Sequence, residues 1–314
     1  MFDLAVCFLT LENVGLMLTF ITIGFLLRRT KKIPETSGKV LSLLTTLLFN
    51  PAYTMRALAL NFTMDTIGEK SVLLLLGTVI AFVVIGFAFI LSKIFGRSVF
   101  EKKSLIYAFA FPNYGYFGYP VVEGIFGTAA LADMMVFCIP ISILTSIFAY
   151  PLFASNGKVE WKKVLLAPMF LSVFIGAGIG LSGLQLPGFV TNVLSVAGNC
   201  MSPASMLLAG FVLAALPLKD LITGWRSYLY SAIRLAGIPA VFGGILFLLG
   251  LRDMQLLIPL LFLSLPLGLN LVVFPESFGY DARDNARMCF VSYLLAIAVL
   301  PITFTLIQGL SQLP

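Results

Sequence analysis

The chain has 314 residues, 60% of them hydrophobic and only 11% charged, with a formal net charge of +6 and no histidine. At a mean hydropathy of +1.03 it cannot turn enough polar surface to water for an ordinary soluble domain, so its solvent is a bilayer. Without imidazole, histidine acid–base chemistry and most zinc sites are excluded, and no G-x-S-x-G or P-loop spacing occurs, so neither an enzyme nor a cofactor or metal is expected.

The first stretch, MFDLAVCFLTLE, carries acid where a cleavable leader carries base, and it reads as retained. About 20 apolar residues cross the hydrocarbon core. On that rule the chain predicts ten spans, over residues 12–29, 38–60, 71–95, 103–127, 130–154, 163–183, 189–216, 226–250, 254–278 and 287–310. Basic residues gather after the odd spans: Arg28, Arg29, Lys31, Lys32 and Lys39, then Lys93, Arg97, Lys102 and Lys103, then Lys158, Lys162 and Lys163. Lys219 and Arg226 follow the seventh span and Arg283 and Arg287 the ninth, whereas Arg56, Lys70 and Arg252 fall on the other side. The positive-inside rule then predicts a multi-pass protein of the cell (plasma or inner) membrane with both termini outside. The net charge reports that topology, and no nucleic-acid partner is expected. Cys7, Cys138, Cys200 and Cys289 form no C-x-x-C pair and read as small apolar packing residues.

The fourth span is interrupted by FPNYGYFGYP, which brings Pro112, Gly115, Gly118 and Pro120 between two apolar runs. The ninth contains PLGLNLVVFP, with Pro266, Gly268 and Pro275. Aligning Pro120 with Pro275 places Gly124 on Gly279, and the correspondence recurs between LLFNPAYTM in span two and AGNCMSPASM in span seven. Five spans per half is an odd number, so residues 156–314 repeat residues 1–155 in inverted orientation. Proline removes a donor and clashes with the preceding turn. Backbone groups so exposed cost several kcal/mol each in hydrocarbon unless protein or a wet cavity satisfies them. Simple kinks are one reading of these prolines; the matched windows favour two interrupted helices that face each other.

Taken together, the ten spans, PNYGYFGYP, PLGLNLVVFP and the Asn–Pro type windows in spans two and seven resemble the auxin efflux carrier family, including its short prokaryotic members. The resemblance covers essentially the whole chain. It implies an all-α fold like that of bile-acid symporters and sodium–proton antiporters, with a scaffold of spans 1, 2, 6 and 7. Spans 3–5 and 8–10 then form a mobile transport domain in which broken helices four and nine cross. It further implies a secondary carrier that moves a small organic anion, such as a carboxylate or auxin-like acid, by elevator-type alternating access, and a homodimer formed through the scaffold. The plant carriers' long loop between spans five and six is replaced here by ASNGKVEWKK, so regulation through that loop is not expected.

A half-helix beginning in a break offers free N–H groups and a partial positive charge to a carboxylate. Asn113, Asn199 and Asn270 supply amides, and Tyr114, Tyr116 and Tyr119 hydroxyls and flat apolar faces. The family's crossover asparagine maps onto Asn113, and its span-seven partner onto Asn199. Packing is the alternative for the tyrosines, and span-to-span bonding for Asn50. Arg234 is the basic residue inside a span. It attracts the anion, pairs with Glu276 or Asp281, or snorkels to the headgroups. Glu123 and Glu276 flank the breaks as binding or span-end carboxylates. A cation–proton exchanger on the same fold and a channel are the rival functions. The lack of Asp or Glu in the middle of a broken span favours an anion or uncharged-acid carrier. Proton or sodium coupling, the substrate and the direction of transport stay open.

Overall fold

A computed structural model describes residues 4–154 and 165–311. The basic loop with Lys158, Lys162 and Lys163 lies outside the described residues. A chain this apolar must bond its backbone internally, and helices do so within one segment. They are α1 (Leu4–Arg29), α2 (Ser37–Leu44), α3 (Asn50–Asn61), α4 (Ile67–Phe95), α5 (Val99–Ala110), α6 (Tyr119–Leu144), α7 (Pro168–Ser182) and α8 (Gly188–Asn199). There follow α9 (Met201–Leu213), α10 (Leu218–Leu221), α11 (Trp225–Ala232), α12 (Ile238–Leu248), α13 (Asp253–Ser264), α14 (Asn270–Ser277) and α15 (Arg283–Ser311). Among the described residues, six continuous helical runs are long and apolar enough to cross a membrane: Leu4–Arg29, Ile67–Phe95, Tyr114–Ala149, Gly188–Leu213, Trp225–Leu248 and Arg283–Leu310. The helix of the first predicted span starts at Leu4, ahead of residue 12.

Among the described residues, four π-helical turns interrupt the α pattern, at Thr45–Phe49, Tyr114–Gly118, Thr145–Ala149 and Ile233–Gly237. Two residues beyond each stands a proline: Pro51, Pro120, Pro151 and Pro239. A proline ring collides with the carbonyl four residues back, which here belongs to Leu47, Tyr116, Ile147 or Leu235, the middle of each π turn. Widening the turn relieves the collision and moves the neighbouring N–H to the fifth carbonyl back, as Tyr119 does with Tyr114. Pro140, Pro259 and Pro301 sit inside helices with no such turn just before them, so the ring alone does not dictate one.

Glycine sets the closest helix contacts. A side chain at Gly24 of α1 would strike the Leu207 backbone of α9, and one at Gly210 of α9 the Ile21 backbone of α1. Gly176 and Gly180 bring α7 against α3 in the same way. Without a hydrophobic drive between helices in lipid, such close approach is the main source of packing energy. By packing, α1–α3 and α7–α9 form one set and α4–α6 with α11–α15 another; the two meet where α1 touches α6 and α15 and where α3 touches α6. Large apolar side chains such as Phe8, Leu75, Phe82, Phe174 and Leu248 point outward.

Candidate functional site

Helix α5 ends at Ala110 and the chain runs extended through Phe111, with φ −119° and ψ 90°. It turns at Asn113 and re-enters helix at Tyr114. Helix α13 ends at Ser264, Leu265 is extended, and the helix resumes at Asn270. The two interruptions touch as an antiparallel bridge between Pro112 and Leu267. There the Asn113 N–H donates to the Pro266 carbonyl at 2.8 Å and the Leu267 N–H to Ser292 Oγ at 3.0 Å. Pro112 and Pro266 have no N–H to leave bare. At Gly268 a side chain would meet the carbonyl oxygens of Phe111 and Pro112 at 2.9 and 3.3 Å, so the crossing needs glycine there. Gly115, Gly118 and Pro120 lie in the helix after the first break rather than in it, and Pro275 lies inside α14. The π turn before Pro120 accommodates its ring.

Arg234 stands in the π turn Ile233–Gly237 and is fully buried. Its Nη1 donates to Phe109 O at 3.0 Å, Nη2 to Phe262 O at 3.1 Å and Nε to Leu265 O at 3.2 Å. The guanidinium thus caps the C-terminal ends of both α5 and α13, where unbonded carbonyls and a partial negative charge gather. It makes no ion pair among the described residues. Asp281, a candidate partner, is held by Arg283, which keeps its carboxyl below the ordinary range; Glu276 is exposed at the end of α14.

At the crossing itself, Asn113 is 3% exposed. Its carbonyl accepts the N–H groups of Phe117 and Gly118 at 3.2 and 2.8 Å, and its Nδ2 donates to the buried Tyr293 hydroxyl at 2.8 Å. That bond uses one of two amide hydrogens. Tyr114 shares a hydrogen bond with Ser142 at 3.2 Å and packs edge-on against Tyr119. Tyr107 reaches Asn270, and Tyr116 reaches Thr46 across to the π turn before α3. Ser142 and Ser146 line a cavity of about 60 Å³ against Met169 and Phe170 of α7, room for no more than a water or two.

The structure thus gathers Asn113, Tyr114, Asn270 and Arg234 around the crossing. Asn50 and Asn199 take partners elsewhere: Asn50 accepts from Thr54 at 3.4 Å, and Asn199 from Arg56 at 3.1 Å. Tyr293, Ser142 and Ser292 bond to residues of the crossing, and nothing in the sequence selects them. Ser292 and Tyr293 stand in regular helix, Ser142 is one of many small polar residues in the apolar spans, and nothing in their neighbours sets them apart from packing residues.

A family model described as membrane transport protein matches residues 10–159 and 151–304. A curated relative, an "uncharacterized transporter" of Methanothermobacter thermautotrophicus, is 25% identical over 201 residues, or 63% of this chain and 66% of the relative's length.

Proposed function

The chain belongs to the auxin-efflux-carrier-like membrane transport protein family, and from that premise we propose that it is a secondary carrier of a small organic anion, of the carboxylate class. The observation that carries the reading is the crossing itself. Two half-helices begin at one place, at Tyr114 and Asn270, with the amide of Asn113 beside them. Helix starts favour negative charge, and an amide hydrogen adds direction to that preference.

Ten spans in an inverted five-plus-five repeat fit the helix order. Rigid and straight, the 36-residue run Tyr114–Ala149 would extend about 54 Å at 1.5 Å per residue, nearly twice the hydrocarbon thickness. Gly127, at φ 83° and ψ 178°, divides it into the end of span four and span five. On this reading the first helix set is the scaffold, the second moves as an elevator, and the basic loops face the cytosol. The side-chain groups bonded at the crossing among the described residues are amides, hydroxyls and a guanidinium, with no carboxylate, which favours an anion over an exchanged cation.

Uptake by proteoliposomes of labelled mono- and dicarboxylates, with and without imposed proton and sodium gradients, tests the proposal. Saturable uptake of one carboxylate, competed by its unlabelled form, is expected. Failure of every carboxylate, with uptake of sodium or protons alone, would establish the exchanger instead.

A further inference from the structure

Most ion pairs among the described residues stay within one helix set or one stretch of chain. Lys70 of α4 pairs with Asp133 of α6, Arg226 of α11 with Glu101 of α5, Arg283 with Asp281 and Arg287 with Asp284. Arg56 and Glu123 differ. Arg56 is on α3, packed against α7 and α8, and Glu123 is on the first turns of α6, whose main neighbour is α4. Their Nη2 to Oε1 distance is 2.7 Å, and it joins the two sets.

The pair is built into a network. The Tyr53 hydroxyl donates to the second carboxylate oxygen of Glu123, and Arg56 Nη1 donates to Asn199 Oδ1 at 3.1 Å. The guanidinium also lies over the Tyr53 ring, 5.9 Å from its centroid. Both Glu123 oxygens thus have a donor, and the planar guanidinium is oriented from two sides. Tyr53 and Arg56, three residues apart, share one face of α3. Next to Glu123, Gly124 presses directly on Asn13 of α1, so the seam is tight at this level. Arg56 also lines a cavity of about 470 Å³ with Leu60, Thr63, Gln185, Thr191 and Leu194. Water can therefore reach the guanidinium when the pair separates. A pair sealed from water is costly to break, whereas one with a wet edge is not.

We propose that Tyr53, Arg56, Glu123 and Asn199 form an ionic latch that closes this end of the seam between the two helix sets. The latch opens when the sets move past each other, a clause that rests on the carrier reading above; the closed latch itself does not. Ala52 stands one turn before Arg56 on the same face of α3 and is 6% exposed, behind the latch.

The test places Ala52→Cys in a background with Cys7, Cys138, Cys200 and Cys289 replaced by alanine, and times its reaction with an impermeant thiol reagent. With the latch intact, labelling is slow. Glu123→Gln should accelerate it roughly fivefold or more, the shift in opening that about 1 kcal/mol of lost pairing produces. Exchanging the charges, Arg56→Glu with Glu123→Arg, should slow it again. An unchanged rate in Glu123→Gln, or a monodisperse charge-exchanged protein that stays fast, overturns the latch; the latter would make Arg56 an anion receptor instead. If the exchanged protein does not stay monodisperse, Tyr53→Phe decides, since it removes one donor to Glu123 at constant charge: faster labelling supports the latch and an unchanged rate sinks it. No substrate enters the assay, so its outcome and that of the uptake panel are independent.

Discussion

Arg234 was the residue whose chemistry the sequence left most open, and its geometry assigns it to the backbone. All three kinds of guanidinium nitrogen donate to carbonyls at the ends of α5 and α13. A charge buried this far is tolerated because two helix C-termini present partial negative charge to it. Its partners were invisible in the sequence for a simple reason: a main-chain carbonyl carries no residue identity, and Phe109 lies 125 positions away. Arg234→Gln keeps length and polarity but cannot serve three carbonyls. Each buried acceptor left bare costs about 1–3 kcal/mol. The melting temperature in detergent should therefore fall by roughly 5 °C or more, with Arg234→Lys between it and the parent. A Gln variant that melted like the parent but lost carboxylate affinity would return the guanidinium to the substrate.

At the scale of helices, the breaks were legible wherever proline and glycine sit together without a helical neighbour to absorb them. Pro112, Pro266 and Gly268 mark the crossing because each relieves a specific conflict there, two missing donors and one close approach. Gly118, Pro120 and Pro275 look the same in sequence and are helical in the structure. For Gly118 and Pro120 the difference is the π turn, which accommodates a proline without ending the helix, and whose wider hydrogen bonding has no signature of its own; Pro275 sits inside α14 without one. Pro120→Ala removes the collision with the Tyr116 carbonyl and should let Tyr114–Gly118 relax toward α-helix, turning Asn113 and Tyr114 relative to the crossing. Transport should slow while the melting temperature holds or rises, since a helix interior gains from alanine. A Pro120→Ala protein that transports at the parent rate would mean that the π turn does not position the site.

For the molecule as a whole, the membrane class and the helical architecture were legible in hydropathy, because runs of about 20 apolar residues satisfy their own backbone in hydrocarbon only as helices. The Arg56–Glu123 network was beyond sequence reasoning, which set Arg56 on the outer side and Glu123 at a span end; only the packing of α3 against α6 brings them together. The carrier account stands on the crossing as an anion site, and the most direct test measures two properties of one variant. Asn113→Ala, in a preparation with a carboxylate that the parent binds, loses a hydrogen bond to a charged group worth about 1.5–3 kcal/mol. The account predicts a Kd weaker by roughly 10- to 150-fold, with a monodisperse protein whose melting temperature shifts little, since the fold loses only the bond to Tyr293. An Asn113→Ala protein that binds and transports the carboxylate like the parent would contradict it.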